Sequence, residues 1–336
     1  MKIGRRDVGA GQPLFVIAEI GLNHGGSLDR ALAMVDAAAA AGVSAVKFQT
    51  VVADDFIAPS GPRDFFRTFE LDEAAHVALA ARARQHGVAF ISTPLSVSAV
   101  ELLERVGVDA YKIASGDLTF TQLIERCAIT GKPVILSTGA SALADAADAL
   151  ATAVRAGAPG VGMLHCVSAY PTPQGSENLR AIATLADAFP VPVGLSDHAT
   201  DTSGVPIAVA YGASIYERHF MLSPDDGSVD APVSSTPEQF ADLIRVAARA
   251  AASLGSGEKV ILQEEAHSLV SRRGLYAARA LAAGAVVRED DVIALRPAAE
   301  LTPNQLPLLV GATLARDVAA GEPFLVRDLG GRRGAA

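Results

Sequence analysis

Pro192-Val-Gly-Leu-Ser-Asp-His-Ala199 and Ala213-Ser-Ile-Tyr-Glu-Arg-His-Phe220 each read as a short apolar strand that ends in a histidine. Residues 205–211, between them, read as a helix. Two strands joined through a helix pair in parallel, because the crossover returns the chain in its original direction. Neighbouring parallel strands end at the same edge of the sheet, so His198 and His219 emerge side by side there. The rest of the chain repeats this unit. Strands at 14–20, 43–48, 88–92, 110–113, 133–136, 161–165, 191–195 and 214–217 alternate with helices at 27–41, 72–86, 97–105, 121–130, 142–156, 178–189, 205–211 and 237–254. Ser27 and Thr236 stand where helix caps are needed, and Gly87 ends the second helix. Eight units in the ~250 residues typical of the architecture predict a closed (β/α)8 TIM barrel. The alternative, an open doubly wound sheet, lacks its Gly-rich dinucleotide fingerprint after the first strand.

Residues 1–12 predict a lead-in hairpin. The long connection 50–71, with Arg63, Phe65, Phe66, Arg67 and Phe69, predicts a flap over the barrel mouth. After residue 254 the pattern changes. Residues 255–271, with Gly255 and Gly257, read as a linker. Residues 272–336 read as a small, mostly β module with an internal repeat: Ala280-Leu-Ala-Ala-Gly-Ala-Val-Val-Arg-Glu-Asp-Asp-Val292 against Asp317-Val-Ala-Ala-Gly-Glu-Pro-Phe-Leu-Val-Arg-Asp-Leu329. The predicted organisation is a catalytic barrel at 1–254, a linker at 255–271 and the module at 272–336.

Composition bounds the function. Half of the 336 residues are hydrophobic and 19% are charged, enough for a sizeable core. The formal charge of -9 argues against a nucleic-acid or anionic-membrane partner, so an anionic substrate needs local lysines or arginines. Cys127 and Cys166 make no disulfide framework, which suits a reducing compartment. No apolar run follows Met1-Lys-Ile-Gly-Arg-Arg-Asp7, and the alanine run 37–41 is too short to span a bilayer. A soluble, cytoplasmic protein is expected.

The strand ends carry the chemistry. Glu19 ends the first strand, with Asn23 and His24 beyond it. Lys47 and Gln49 end the second, Ser92-Thr-Pro94 the third, and Lys112 with Ser115-Gly-Asp117 the fourth. Ser137-Thr-Gly139, His165 with Tyr170, Ser196-Asp-His198 and Glu217-Arg-His219 end the rest. Lysines inside a barrel mouth are costly unless they meet an anion. Lys47 and Lys112, with Ser115, Gly116, Ser137 and Gly139, suit a phosphate or carboxylate. They also suit structural ion pairs, or a Schiff-base amine in a pyruvate-dependent aldolase. His198 and His219 suit a divalent metal with open positions for water and substrate, such as Zn, Fe, Mn or Co. His165 is either a third ligand or a packing residue. Glu19 is a general acid or base, or a lysine's partner.

The motifs Ala18-Glu-Ile-Gly-Leu-Asn-His-Gly-Gly26, Val46-Lys-Phe-Gln49, Lys112-Ile-Ala-Ser-Gly116, Leu136-Ser-Thr-Gly139, Leu164-His-Cys166 with Tyr170-Pro-Thr-Pro173, Ser196-Asp-His198 and Glu217-Arg-His-Phe220 occur in the order of the sialic acid (N-acetylneuraminate) synthase family. The chain resembles that family along essentially its whole length, and the final module resembles its antifreeze-like (SAF, β-clip) domain. The resemblance implies condensation of phosphoenolpyruvate with an open-chain N-acylhexosamine and water, giving a nine-carbon 2-keto-3-deoxy sugar acid and phosphate. Legionaminic, pseudaminic or Kdn synthesis are alternatives within the family. A Schiff-base pyruvate lyase is the alternative outside it.

By resemblance His198 and His219 hold a divalent metal, Mn2+ foremost, with Mg2+ or Co2+ as alternatives. Lys47, Thr93, Lys112, Ser115 and Ser137 match positions that bind phosphoenolpyruvate, and Glu19 matches the essential carboxylate. Tyr170 and Asp230 match sugar-contacting positions, and Gln49, Ser196 and Asp117 are further substrate-binding candidates, Asp117 on the sugar side. Arg296, in Leu295-Arg-Pro297, matches an arginine that crosses a domain-swapped homodimer. The departures fall on the sugar side: Asp117 stands for a glutamate, Val167-Ser-Ala169 lacks an asparagine, residues 225–233 lack Pro-Asp-His, and Pro297 is followed by Ala298 rather than glycine.

Overall fold

Eight parallel strands, β1 (Phe15–Gly21), β2 (Ala45–Thr50), β3 (Ala89–Pro94), β4 (Ala110–Ile113), β5 (Val134–Ser137), β6 (Val161–Cys166), β7 (Val193–Asp197) and β8 (Ile215–Phe220), pair in chain order, and β8 pairs back onto β1. That last ladder makes the sheet a closed barrel and excludes the open doubly wound alternative. The computed structural model that shows this describes residues 1–330; the tail of the 272–336 module, residues 331–336, lies outside the described residues. A short ninth strand, Ser234–Ser235, runs parallel to the end of β8, with His219 opposite Ser234.

The helices between strands are α1 (Leu28–Ala40), α2 (Glu73–Gln85), α3 (Val97–Val106), α4 (Thr121–Ile129), α5 (Leu143–Arg155), α6 (Ala181–Ala188), α7 (Gly204–Ala210) and α8 (Pro237–Ser253). Ser27 and Thr236 cap α1 and α8 through their hydroxyls, which accept from Arg30 N and Gln239 N. α6 begins later than its apolar pattern predicts. Asn178 holds a φ of 46°, outside the helical region, and the helix starts only past it.

Two apolar layers follow from the two-residue period of the strands. Side chains facing outward pack beneath the helices in one large cluster. Side chains facing inward at the strand starts, Phe15, Ile17, Ala45, Ile91, Ala110, Ile135, Leu164 and Ile215, form a second cluster with Ile3 and Val8. Ile3 comes from an N-terminal antiparallel hairpin, Lys2–Ile3 against Arg6–Asp7. The hairpin therefore packs its apolar side chains into the lower end of the barrel, and the polar strand ends lie at the C-terminal face.

The connection after β2 forms two short helices, Ala53–Phe56 and Arg63–Arg67. Its apolar side chains pack with Leu22 and Leu95 beside the mouth. None of residues 51–71 lines the central cavity, so this segment is a buttress at the rim rather than the expected flap. The aromatic edges of Phe56, Phe65, Phe66 and Phe69 satisfy one another there.

The chain divides into compact units after Ser256. In the second unit the stretch read as a linker carries a 3-10 helix, Gln263–Ser271. The repeat pairs with itself. Leu281 and Val318, equivalent positions, exchange backbone hydrogen bonds of 2.9 and 2.8 Å. Arg279 donates to Asp291 at 2.8 Å, and Arg316 to Asp328 at 2.6 Å, each across the same spacing. Among the described residues no helix is long and apolar enough to cross a membrane.

Candidate active site

The floor of the barrel predicts its mouth. On seven strands the chain presents a polar residue two positions after the last inward apolar one: Ile17 then Glu19, Ala45 then Lys47, Ile91 then Thr93, Ala110 then Lys112, Ile135 then Ser137, Leu164 then Cys166, Ile215 then Glu217. These side chains, with Gln49, Ser115, Ser168, Tyr170, Ser196, His198 and His219, surround one cavity of about 270 Å3 at the C-terminal strand ends. The site residues expected from the sequence thus meet, with three exceptions. Asp117 lies half-buried at the end of a 3-10 turn, Ser115–Asp117, and does not line the cavity; burial alone raises its carboxyl pKa. Asp230 stands behind His219, 3.3 Å from its Nδ1. Arg296 belongs to the second unit.

The cavity wall holds paired charges. Lys47 Nζ is ion-paired to Glu19, donates to Thr93 Oγ1 at 2.9 Å, and stands 3.9 Å from Glu217. Lys112 Nζ stands 3.5 Å from the other oxygen of Glu217. Both amines are almost fully buried. Burial works against both charges, but the outcomes differ. Around Lys47, Glu19 and Glu217 outweigh burial and hold the ammonium above the usual lysine range. Around Lys112 burial, with Lys47 adding to it, prevails over the attraction of Glu217, and its pKa falls. Burial pushes the Glu217 carboxyl up, but Lys112, Lys47 and the Ser196 hydroxyl, which donates at 2.9 Å, draw it down to about 2.

Glu217 is the central group that the sequence reading left unassigned. Its signal was available: it stands two residues before His219, on the same face of β8. Cys166 is a second. Burial raises its thiol, but His198 at 3.7 Å, Ser115 and Lys112 bring it below the usual cysteine range.

Glycine shapes the rim at two places. Gly21 sits at a bulge with a φ of 54°, and a Cβ there would stand 2.8 Å from Glu19 Oε1. At Gly139 a Cβ would stand 2.2 Å from Ser168 Oγ and 2.7 Å from Ser115 Oγ, so the β5–α5 turn approaches both hydroxyls only because it carries none. Gly139 N donates to Ser115 Oγ at 3.0 Å.

The histidines stand with ring centroids 5.4 Å apart, and the half-exposed Tyr170 ring covers His198 at 4.1 Å. His198 Nδ1 is occupied by the Val167 carbonyl at 3.0 Å, which leaves Nε2 for a ligand. His219 Nδ1 is buried without a hydrogen bond, although Asp230 lies in ion-pair range. Each imidazole has its Nδ1 turned to a protein oxygen, Val167 O or Asp230 Oδ2, and two imidazoles held in this way, with Nε2 left for a ligand, fit a divalent cation of borderline softness. Among the described residues no three His, Cys, Asp or Glu side chains gather as a metal cluster, so water and substrate would complete the shell. His165 lies behind this wall, its Nε2 against the Glu177 carbonyl at 2.8 Å.

A closed barrel with a charged, dead-ended mouth at its C-terminal face defines a β/α-barrel enzyme. The chain belongs to the NeuB family, whose profile matches residues 34–259, and the SAF domain matches residues 272–329. It is 38% identical to an uncharacterized protein of Methanocaldococcus jannaschii, over 94% of this chain and 95% of that one. It is 33% identical to the N,N'-diacetyllegionaminic acid synthase of Legionella pneumophila, over 96% of each chain. Among solved structures, the N-acetylneuraminic acid synthetase of Leptospira borgpetersenii superposes with a TM-score of 0.76 at 32% identity, covering 80% of this chain and 94% of that one. The chain is a synthase of this nonulosonic acid family.

Proposed function

We propose that the protein condenses phosphoenolpyruvate with an open-chain N-acylhexosamine and water, giving a nine-carbon 2-keto-3-deoxy sugar acid and inorganic phosphate. The observation that carries this reading is the pairing, within one cavity, of a two-lysine anion site with a two-histidine site across Glu217. An aldol-type joining of an anionic enol to an aldehyde needs both, side by side.

Lys47 and Lys112 bind the phosphate and carboxylate, with Gln49, Thr93, Ser115, Ser137 and Ser196 supplying neutral hydrogen bonds around them. His198 and His219 hold a divalent cation, Mn2+ foremost, with Mg2+ and Co2+ as alternatives. Bound there, the cation supplies Lewis acidity toward the sugar's aldehyde oxygen. The enol C3 attacks the aldehyde carbon, the former aldehyde oxygen takes up a proton to become a hydroxyl, water adds at C2 with loss of a proton, and collapse of that adduct to the ketone expels phosphate by breaking the C2–O bond. Glu19, poised against Lys47 and within 3.3 Å of Gln49 Nε2, takes the proton of the incoming water. Tyr170 walls the sugar side at His198, and Asp230 and Asp117 act on the sugar or on the loops that shape its pocket. Arg296 reaches the acyl group from the partner subunit of a domain-swapped homodimer, in the cytoplasm.

The relatives are synthases of different acids, N,N'-diacetyllegionaminic acid and N-acetylneuraminic acid, so the acyl pattern of the sugar is the open variable. Purified protein, phosphoenolpyruvate, Mn2+ and a panel of N-acylated hexosamines test the proposal. Sugar-dependent phosphate release with a product of matching mass supports it; no release with any sugar refutes it.

A further inference from the structure

The residues just before the two histidines, Asp197 and Arg218, face the opposite way, out of the barrel and into the helical layer. They are direct partners in the β7–β8 ladder. Arg218 Nη1 stands 3.4 Å from Asp197 Oδ2, and both side chains are buried. The same carboxylate oxygen accepts the Tyr216 hydroxyl at 2.6 Å, and Oδ1 accepts the backbone N–H of Ala199 at 2.9 Å. Asp197 thereby fixes the chain immediately after His198. Arg218 Nε donates to Ser235 Oγ at 2.6 Å, on the short strand whose other residue lies opposite His219. One arginine therefore ties β7, β8 and the Ser234–Ser235 strand together behind the histidines.

A one-residue slip of β8 against β7 would turn Arg218 into the cavity and His219 into the core, because successive side chains alternate faces. The buried pair makes that slip costly, since each charge would lose its partner. We infer that Asp197 and Arg218, with Tyr216, are positioning residues that set the distance between His198 and His219, and so the affinity of that pair for a divalent cation. This rests on the reading of the two histidines as cation ligands, but it assigns the spacing to a buried ion pair that touches neither substrate nor cation.

The test measures Mn2+ binding by electron paramagnetic resonance of the free ion, and inorganic phosphate binding by calorimetry. Wild type, Arg218→Lys and Tyr216→Phe are compared as full-length protein. Arg218→Lys keeps the charge but loses the Nε link to Ser235, and its Mn2+ dissociation constant rises at least tenfold. Tyr216→Phe preserves shape and raises it about threefold, which keeps the test open if the lysine variant folds poorly. Phosphate binding changes less than twofold in both, and the visible spectrum of bound Co2+ shifts in both. Folded variants that bind Mn2+ like wild type overturn the inference and leave the cation reading intact. Parallel loss of Mn2+ and phosphate binding also overturns it, as a general structural defect. Wild type that binds no Mn2+ overturns both together.

Discussion

Glu217→Gln tests the charge arrangement at the centre of the site. Among the described residues Glu217 is the one carboxylate within ion-pair range of Lys112, at 3.5 Å, and the second of Lys47, at 3.9 Å. At an effective dielectric of about 20, each such pair carries roughly 4 kcal/mol of Coulomb attraction. Desolvation cancels much of it, and breaking a buried pair by removing one partner typically costs about 3–5 kcal/mol. The Glu217 carboxyl is drawn down to about 2 against its burial, so the two lysines and Ser196 together outweigh its desolvation. The amide keeps the shape and the Ser196 contact, so the variant should fold but unfold about 3 kcal/mol more easily in urea at pH 7. The effect on ligand binding has the opposite sign. Wild type balances two ammonium groups with two carboxylates; the variant leaves one excess positive charge in the cavity. Phosphoenolpyruvate then binds about tenfold more tightly, a gain of about 1.4 kcal/mol, and restores part of the lost stability through mass action. Urea titrations with and without phosphoenolpyruvate, and calorimetry, read both effects. Unchanged stability together with unchanged affinity would refute the assignment of Glu217 as the counter-charge that an incoming anion displaces.

Glu19→Gln should retain a native circular dichroism spectrum while kcat falls by about 10²–10⁴-fold, the range for a lost general acid or base; a wild-type rate would show that the carboxylate is structural. His24 is buried, and burial, aided by His76 and Arg30, lowers its pKa to about 4. Its contribution is therefore complete above about pH 6.5 and lost as pH falls toward 4, about 2 kcal/mol of it by pH 5. Urea midpoints of His24→Gln should accordingly vary less between pH 7 and pH 5 than those of wild type, and equal slopes would contradict this. Arg296→Ala should raise the KM for the sugar at least tenfold and that for phosphoenolpyruvate less than twofold, and equal changes in steady-state assays would count against a role at the acyl group.

The barrel was legible because its signals are local. Caps such as Ser27 and Thr236 and the apolar runs of the strands mark units that fit one closed arrangement. Strand-end positions likewise singled out Glu19, Lys47, Lys112, His198 and His219, since the C-terminal edge of a barrel sheet has room for polar groups. What stayed hidden depends on which groups meet in space. Glu217 reads as one more strand-end acid until Lys47 and Lys112 are seen to converge on it from two and four strands away. Asp117 is adjacent in sequence to Ser115 and Gly116, yet the 3-10 turn carries it off the cavity wall. The aromatic residues of 50–71 suggest a flap, but they satisfy one another at the rim. Asn178 delays α6 through a backbone angle that apolar periodicity does not encode.

The most direct test of the proposed synthesis uses phosphoenolpyruvate labelled with oxygen-18 at the bridging C2–O–P position. In the presence of Mn2+ and the sugar that supports turnover, the account predicts that all of the label leaves in inorganic phosphate, because the C2–O bond breaks and the new C2 oxygen comes from water. Label retained in the nine-carbon acid would mean P–O cleavage, and would contradict the account even if the same acid were formed.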